Sequence, residues 1–155
     1  MPRRISRDLA NEDSYQKLYD GEDAVFKQLK DVFLMAACIG FKNEQRKPLT
    51  KRGKDFPWAV FNGKTDESII NAIALAETND FRVLIDEQEE GEDDRVTIIE
   101  EYANAGIEYL KSQVLDKGGS CVENLLTYLN AQKSQEIDND INNLGDLLLE
   151  LSDEM

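Results

Sequence analysis

Six cations crowd into a short window of this chain: Lys42, Arg46, Lys47, Lys51, Arg52 and Lys54, a third of the 18 basic residues present. One acid, Glu44, interrupts them, so the window is strongly cationic in a chain whose net charge is −14. The only tryptophan, Trp58, and two of the three prolines, Pro48 and Pro57, lie in or beside it. Lysine and arginine next to an aromatic ring can contact phosphates while a base stacks on the ring, or can dock on an acidic face of a partner protein. The plainer reading is a solvated loop whose cations neutralise acids of the same molecule. Trp58 is expected in the core.

Other chemistries are poorly served. Histidine is absent, which removes the commonest general base, metal ligand and pH switch. Cys38 and Cys121 stand far apart in apolar surroundings with no CxxC pair, so zinc fingers and dithiol redox chemistry are excluded, and both are expected as small core residues. No GxGxxG, Walker loop or GxSxG is present, and Val83-Leu-Ile-Asp86-Glu-Gln-Glu lacks the lysine of a nuclease-type signature. The acidic tract 86–94 carries seven acids and no base, without the spacing of a calcium-binding loop; a solvated loop is expected there. These absences predict a non-enzymatic protein without cofactor or metal. An acidic chain also repels DNA as a whole, so DNA contact is expected only locally or through a complex.

The elements that must position the basic window follow from periodicity. At 155 residues the length suits one domain. Residues 1–19 read as a loosely ordered N-terminal segment, with at most a short helix at Ser14–Tyr19 and with Arg3, Arg4 and Arg7 on a frayed end. A helical domain is expected over 20–132. Its first helix starts at Asp20 and carries Val25, Leu29, Val32, Phe33, Ala36 and Ile39 at helical spacing, with Gly40 as a left-handed cap. Pro48, Gly53, Pro57 and Gly63 then break any period, giving a long basic loop over 42–64 with a conceivable strand at Ala59–Asn62.

A second helix is expected from Asp66 to about Glu77. Phe81–Ile85 is ambiguous between strand and helical turn. A third helix carries Val96, Ile99, Tyr102, Ala103, Gly106, Leu110 and Val114. Ser120-Cys-Val-Glu123 is a capping box that opens a fourth helix over about 121–132, with Val122, Leu125, Leu126 and Leu129 inward. Over 133–155 a distinct acidic amphipathic helix follows. Its apolar seam, Ile137, Ile141, Leu144, Leu148 and Leu151, repeats at spacings of 4, 3, 4 and 3, and from Ser134 to Met155 there are seven acids and no base. That seam can pack on its own domain, form a homodimer, or dock into a partner groove. The fold class is therefore all-α or nearly so, a compact bundle of four to five helices. The longest apolar run is too short to span a bilayer, and Met-Pro-Arg-Arg-Ile-Ser-Arg is not followed by an apolar segment, so a soluble intracellular protein is expected.

Two blocks carry a resemblance. Asp20-Gly-Glu-Asp-Ala-Val-Phe-Lys-Gln-Leu-Lys-Asp-Val-Phe-Leu-Met-Ala-Ala-Cys-Ile-Gly-Phe41, followed by Lys47-Pro-Leu, Phe56, Trp58 and Phe61, resembles the small proteins called Dnd system-associated protein 4, encoded beside bacterial DNA phosphorothioation genes. The resemblance covers roughly residues 15–130 and leaves the seam helix as a variable tail. It implies a bacterial cytoplasmic accessory or adaptor protein. Its partner would be a protein of the modification complex, or of the restriction complex that spares modified DNA. It supplies no catalytic residues. The alternative reading is an acidic DNA mimic or inhibitor occupying a partner's DNA channel; direct DNA binding is the third.

Overall fold

The computed structural model describes residues 2–85 and 94–154. Among them, five α-helices and a two-stranded antiparallel sheet follow in the order β1 (Ile5–Asp8), α1 (Glu12–Tyr19), α2 (Leu29–Lys42), β2 (Arg52–Phe56), α3 (Asp66–Thr78), α4 (Arg95–Leu110) and α5 (Cys121–Asp153). The protein is predominantly helical but not purely so. Single 3-10 turns sit at Leu9–Asn11, Trp58–Val60 and Phe81–Leu84, and a π-helical turn, Lys111–Leu115, continues α4.

The centre is the crossing of α2 and α4. Two glycines bring their backbones together: a Cβ built on Gly40 would lie 2.0 Å from the carbonyl oxygen of Tyr102, and one on Gly106 only 1.6 Å from that of Ala36. Any side chain there would force the helices apart. Val32, Phe33, Ala36 and Ala37 on α2, and Ile99, Ala103, Ile107 and Leu110 on α4, are fully buried around this contact. Gly40 is thus an interior helical residue, not the cap expected of it. The left-handed exit falls to Glu44, at φ 53°, and Asn43 donates its side-chain amide to the Ile39 carbonyl at 2.8 Å. The expected start at Asp20 is also corrected. Residues 20–28 are non-helical, and Val25 and Phe26 both donate their backbone N–H groups to Leu18 O at 3.1 Å.

The N-terminal segment is part of the core. β1 pairs antiparallel with β2, Ile5 opposite Phe56 and Ser6 opposite Asp55, and Ile5, Tyr15 and Leu18 are buried. Arg7, expected on a frayed end, is 3 % exposed. Its guanidinium makes a bidentate pair with Glu12 at 2.9 and 3.0 Å and lies 4.5 Å from the centroid of Phe56, so the buried charge is both paired and stacked. Tyr15, Phe33, Phe56, Phe61 and Trp58 form a continuous aromatic cluster with neighbouring centroids 5.5–6.5 Å apart. The long loop therefore contains a strand, at Arg52–Phe56 rather than Ala59–Asn62.

From Cys121 one helix runs unbroken to Asp153 where two were expected. Ser120 caps the helix as the sequence predicts, its Oγ accepting from Glu123 N–H at 3.4 Å, and Asp23 accepts from Cys121 N–H at 2.7 Å. Leu125 is buried, but Val122 and Leu126, expected inward, are 45 % and 55 % exposed.

Gly106→Ala should cost about 3 kcal/mol of stability, since its methyl meets backbone that cannot yield. Gly145 on α5 has open space around it, so Gly145→Ala should add about 0.5–1 kcal/mol. Urea unfolding of the two variants checks both signs.

Candidate functional site

Two buried polar side chains bracket the basic loop. Asn104, 2 % exposed, donates its amide to the carbonyls of Lys47 and Pro48 at 3.1 and 3.2 Å and accepts from the Asn11 amide at 2.7 Å. Asp8, also 2 % exposed, accepts from Thr50 N–H at 2.8 Å and from Ala10 N–H at 3.0 Å. Burial alone would raise the Asp8 pKa. The hydrogen bonds from Thr50, Ala10 and Asn104 outweigh it and hold the carboxyl below its ordinary value. The backbone N–H of Lys47 donates to Glu101 O at 3.1 Å, and that of Leu9 to Lys51 O at 2.9 Å. The loop is thereby fixed from Lys47 onward, which satisfies its backbone polar groups without a long regular element.

This path divides the six cations. Lys42, Arg46 and Lys47 turn toward acids of the same molecule. Lys42 pairs with Glu136 at 2.6 Å and Lys47 with Glu108. Arg46 reaches Glu101 and Glu77, both at 2.8 Å, and lies 5.8 Å from the Tyr102 ring centroid. Lys51, Arg52 and Lys54 lie on or beside β2, all exposed. Arg52 touches Glu100 and Ser6 Oγ at 3.1 Å yet stays 59 % exposed; Lys51 and Lys54 make no ion pair among the described residues. The strand pairing brings Arg3 and Arg4 to this same ribbon. Arg4 is held by Asp55 at 2.8 Å, and Arg3 by Glu100 and by Thr97 at 2.9 Å. Sequence reasoning separated these two arginines from the loop because the β1–β2 pairing spans almost fifty residues; the signal was the short Ile5-Ser-Arg-Asp8 run.

Trp58 is not free to stack on a base. It is 8 % exposed, its indole N–H donates to Glu67 Oε1 at 2.7 Å, and the Arg95 guanidinium covers it 4.6 Å from the ring centroid. The seam residues are placed oppositely. Ile137, Ile141, Leu144, Leu148 and Leu151 are 50–62 % exposed, and Leu147 and Leu149 are exposed beside them. Packing of the seam on its own domain is therefore ruled out. The cysteines differ from expectation too: both are free, Cys38 exposed and Cys121 half-buried. Cys38 lines a groove of about 230 Å³ between α2 and α5, with Met35, Ile39, Tyr128 and Leu129.

Tyr102 donates to Glu77; burial and this bond push the tyrosine up to about 12. The same bond and Arg46 hold Glu77 below its ordinary value. Among the described residues no group of three or more cysteine, aspartate and glutamate side chains could hold a metal ion. The acidic tract lies outside the described residues except for Asp94, which caps α4 by accepting from Thr97 N–H at 2.6 Å. Among the described residues no helix is long and apolar enough to cross a membrane.

The described residues thus form a helical body with a bracketed basic ribbon and a projecting helix that carries an exposed apolar seam. The chain belongs to the family of DNA sulphur modification system-associated protein 4, whose model matches residues 4–147. The match corrects the expected extent of the resemblance, since it takes in β1, α1 and α5 as far as Leu147. No curated protein and no solved structure matches the chain.

Hydrogen-bonded carboxylates set a pH dependence with a definite sign. Asp8, Asp66, Glu12 and Glu77 are all held below their ordinary values. Each adds stability that is complete above the unfolded carboxylate range and is lost as pH falls through the lowered folded value. Glu100 acts oppositely: burial outweighs Arg3 and Arg52 and raises its pKa, so its protonation favours the fold as pH drops. Four groups outnumber one, so the melting temperature should be level above about pH 5 and fall below about pH 4. Asp8→Asn should make that fall shallower. Thermal melts followed by circular dichroism test this, and a rise in melting temperature on acidification would refute it.

Proposed function

We propose that this protein is a non-enzymatic adaptor of a DNA phosphorothioation-linked defence system in the bacterial cytoplasm, working by binding an anionic face of the modification or restriction complex. The observation that supports this reading is the division of the cations. Lys42, Arg46 and Lys47 pair with acids on α3, α4 and α5, whereas Lys51 and Lys54 make no ion pair among the described residues and lie exposed beside the acid-paired Arg3, Arg4 and Arg52 on one ribbon. Five cations on a rigid two-stranded ribbon make a docking surface with defined geometry. They are too few, on a chain of net charge −14, to hold DNA alone against physiological salt. DNA phosphates are touched only where the complex presents them.

One observation favours a second reading. The exposed part of α5 carries six acids and no base from Ser134 to Asp153, a charged rod that could fill a DNA channel of a basic partner. The two readings part on charge reversal. As an adaptor, the tagged protein should recover proteins of the sulphur-modification system from its native host, and Lys51→Glu with Arg52→Glu should reduce recovery about tenfold or more. A mimic would lose its partner on reversal of Glu136, Asp146 and Glu150 instead, and would compete with DNA for it. Recovery of no component of the system in the native host sinks the adaptor.

A further inference from the structure

The face of α5 that meets the body and the face that carries the seam are different faces. Leu125 is buried and Tyr128 and Leu129 are packed against the core, while Glu136 reaches Lys42. At 3.6 residues per turn these positions fall on one line along the helix. Ile137, Ile141, Leu144, Leu148 and Leu151 fall on another, about a third of a turn away. Val122 and Leu126 begin that second line, which is why they are exposed. The apolar stripe thus starts beside the body instead of under it, and every residue from Lys133 to Glu154 is exposed. Its cover comes from outside the chain.

We propose that α5 pairs along this seam, in parallel, with α5 of a second copy, forming a two-stranded coiled coil over residues 133–153. The 4-3-4-3 spacing places Ile137, Leu144 and Leu151 at d and Ile141 and Leu148 at a. Ile141 at a with Leu144 and Leu151 at d is the combination that favours two parallel strands, set against Leu148 at a and Ile137 at d, which lean toward more strands. Leu147 falls at g and widens the apolar strip.

The charges select the occupant. In a parallel pair each g residue meets the e residue five positions later on the other helix. Lys133 then faces Asp138 of the second copy, an attractive pair made twice by symmetry. Asp140 faces Gly145, and Leu147 faces Ser152, so no like charges oppose one another. The remaining acids keep away from the seam: Glu136 and Glu150 at c, Asp146 and Asp153 at f, and Glu154 at the frayed end. A basic helical partner would be met by acids flanking the seam at e and g, and only Asp138 and Asp140 flank it within the paired length. The sequence is acidic on the outside of the coil and nearly neutral along its edges, which suits its own copy.

The purified full-length chain tests this without any partner, so its outcome is independent of the adaptor reading. Sedimentation or light scattering at high micromolar concentration should give twice 17.6 kDa. Leu144→Asp with Leu148→Asp should give the monomer mass with the melting of the body unchanged, because neither residue touches it. Lys133→Glu should raise the dimer dissociation constant about tenfold through two repulsive pairs, and Lys133→Glu with Asp138→Lys should restore it. A monomer at all concentrations overturns the proposal. So does a dimer indifferent to the paired aspartates, or a charge swap that fails to restore association.

Discussion

The structure depends on one contact, the backbone-to-backbone approach of α2 and α4 at Gly40 and Gly106. Helices that close bury small residues and exclude water completely at the crossing, and the larger side chains above and below can then interlock. Everything else is arranged on that pair. The aromatic cluster packs at the Phe33 end, and β1 and α1 close over it. Asn104, two residues before Gly106, is carried to the one place where it can hold the carbonyls of Lys47 and Pro48. The basic loop is thus set by the same crossing that forms the core.

Buried polar residues do the finer positioning. Arg7 ties β1 to α1 through Glu12, Asp8 ties β1 to the basic loop through Thr50, and Asp66 ties α3 to α2 through Lys30 and to the Asn62 backbone. A charge in such a place is tolerable only when fully partnered. The same requirement makes the geometry specific: a displaced loop would leave a buried carboxylate unpaired.

Much of the helical frame was legible in the sequence because periodicity is local. Asp66–Thr78 and the stripe from Val96 to Val114 lie where their apolar spacing put them, and the Ser120–Glu123 cap formed. What was not legible came from distance along the chain. Gly40 looked like a terminator because its partner Gly106 is sixty-six residues away. Ile5-Ser-Arg-Asp8 looked frayed because its strand partner is Arg52–Phe56, and Arg7 hid there as a surface charge. Val122 and Leu126 looked inward because a helix wheel has no knowledge of which side the body occupies. For the candidate site, the seam residues and the cation cluster were visible by type, but which cations pair with which acids, and that Lys51 and Lys54 make no ion pair among the described residues, required the fold.

The continuity of α5 has a geometric consequence. A helix is both a length and an angle: each added residue advances the tip by about 1.5 Å and turns it by about 100°. Because no loop separates the part that grips the body from the part that carries the seam, the azimuth of the seam about the helix axis is locked to the orientation of the basic ribbon. One residue inserted between Leu129 and Ile137 would leave both surfaces chemically intact while swinging one more than a quarter turn past the other. The length of that connecting stretch is therefore information in itself, and drift within it would be constrained to steps that return the helix nearly to phase.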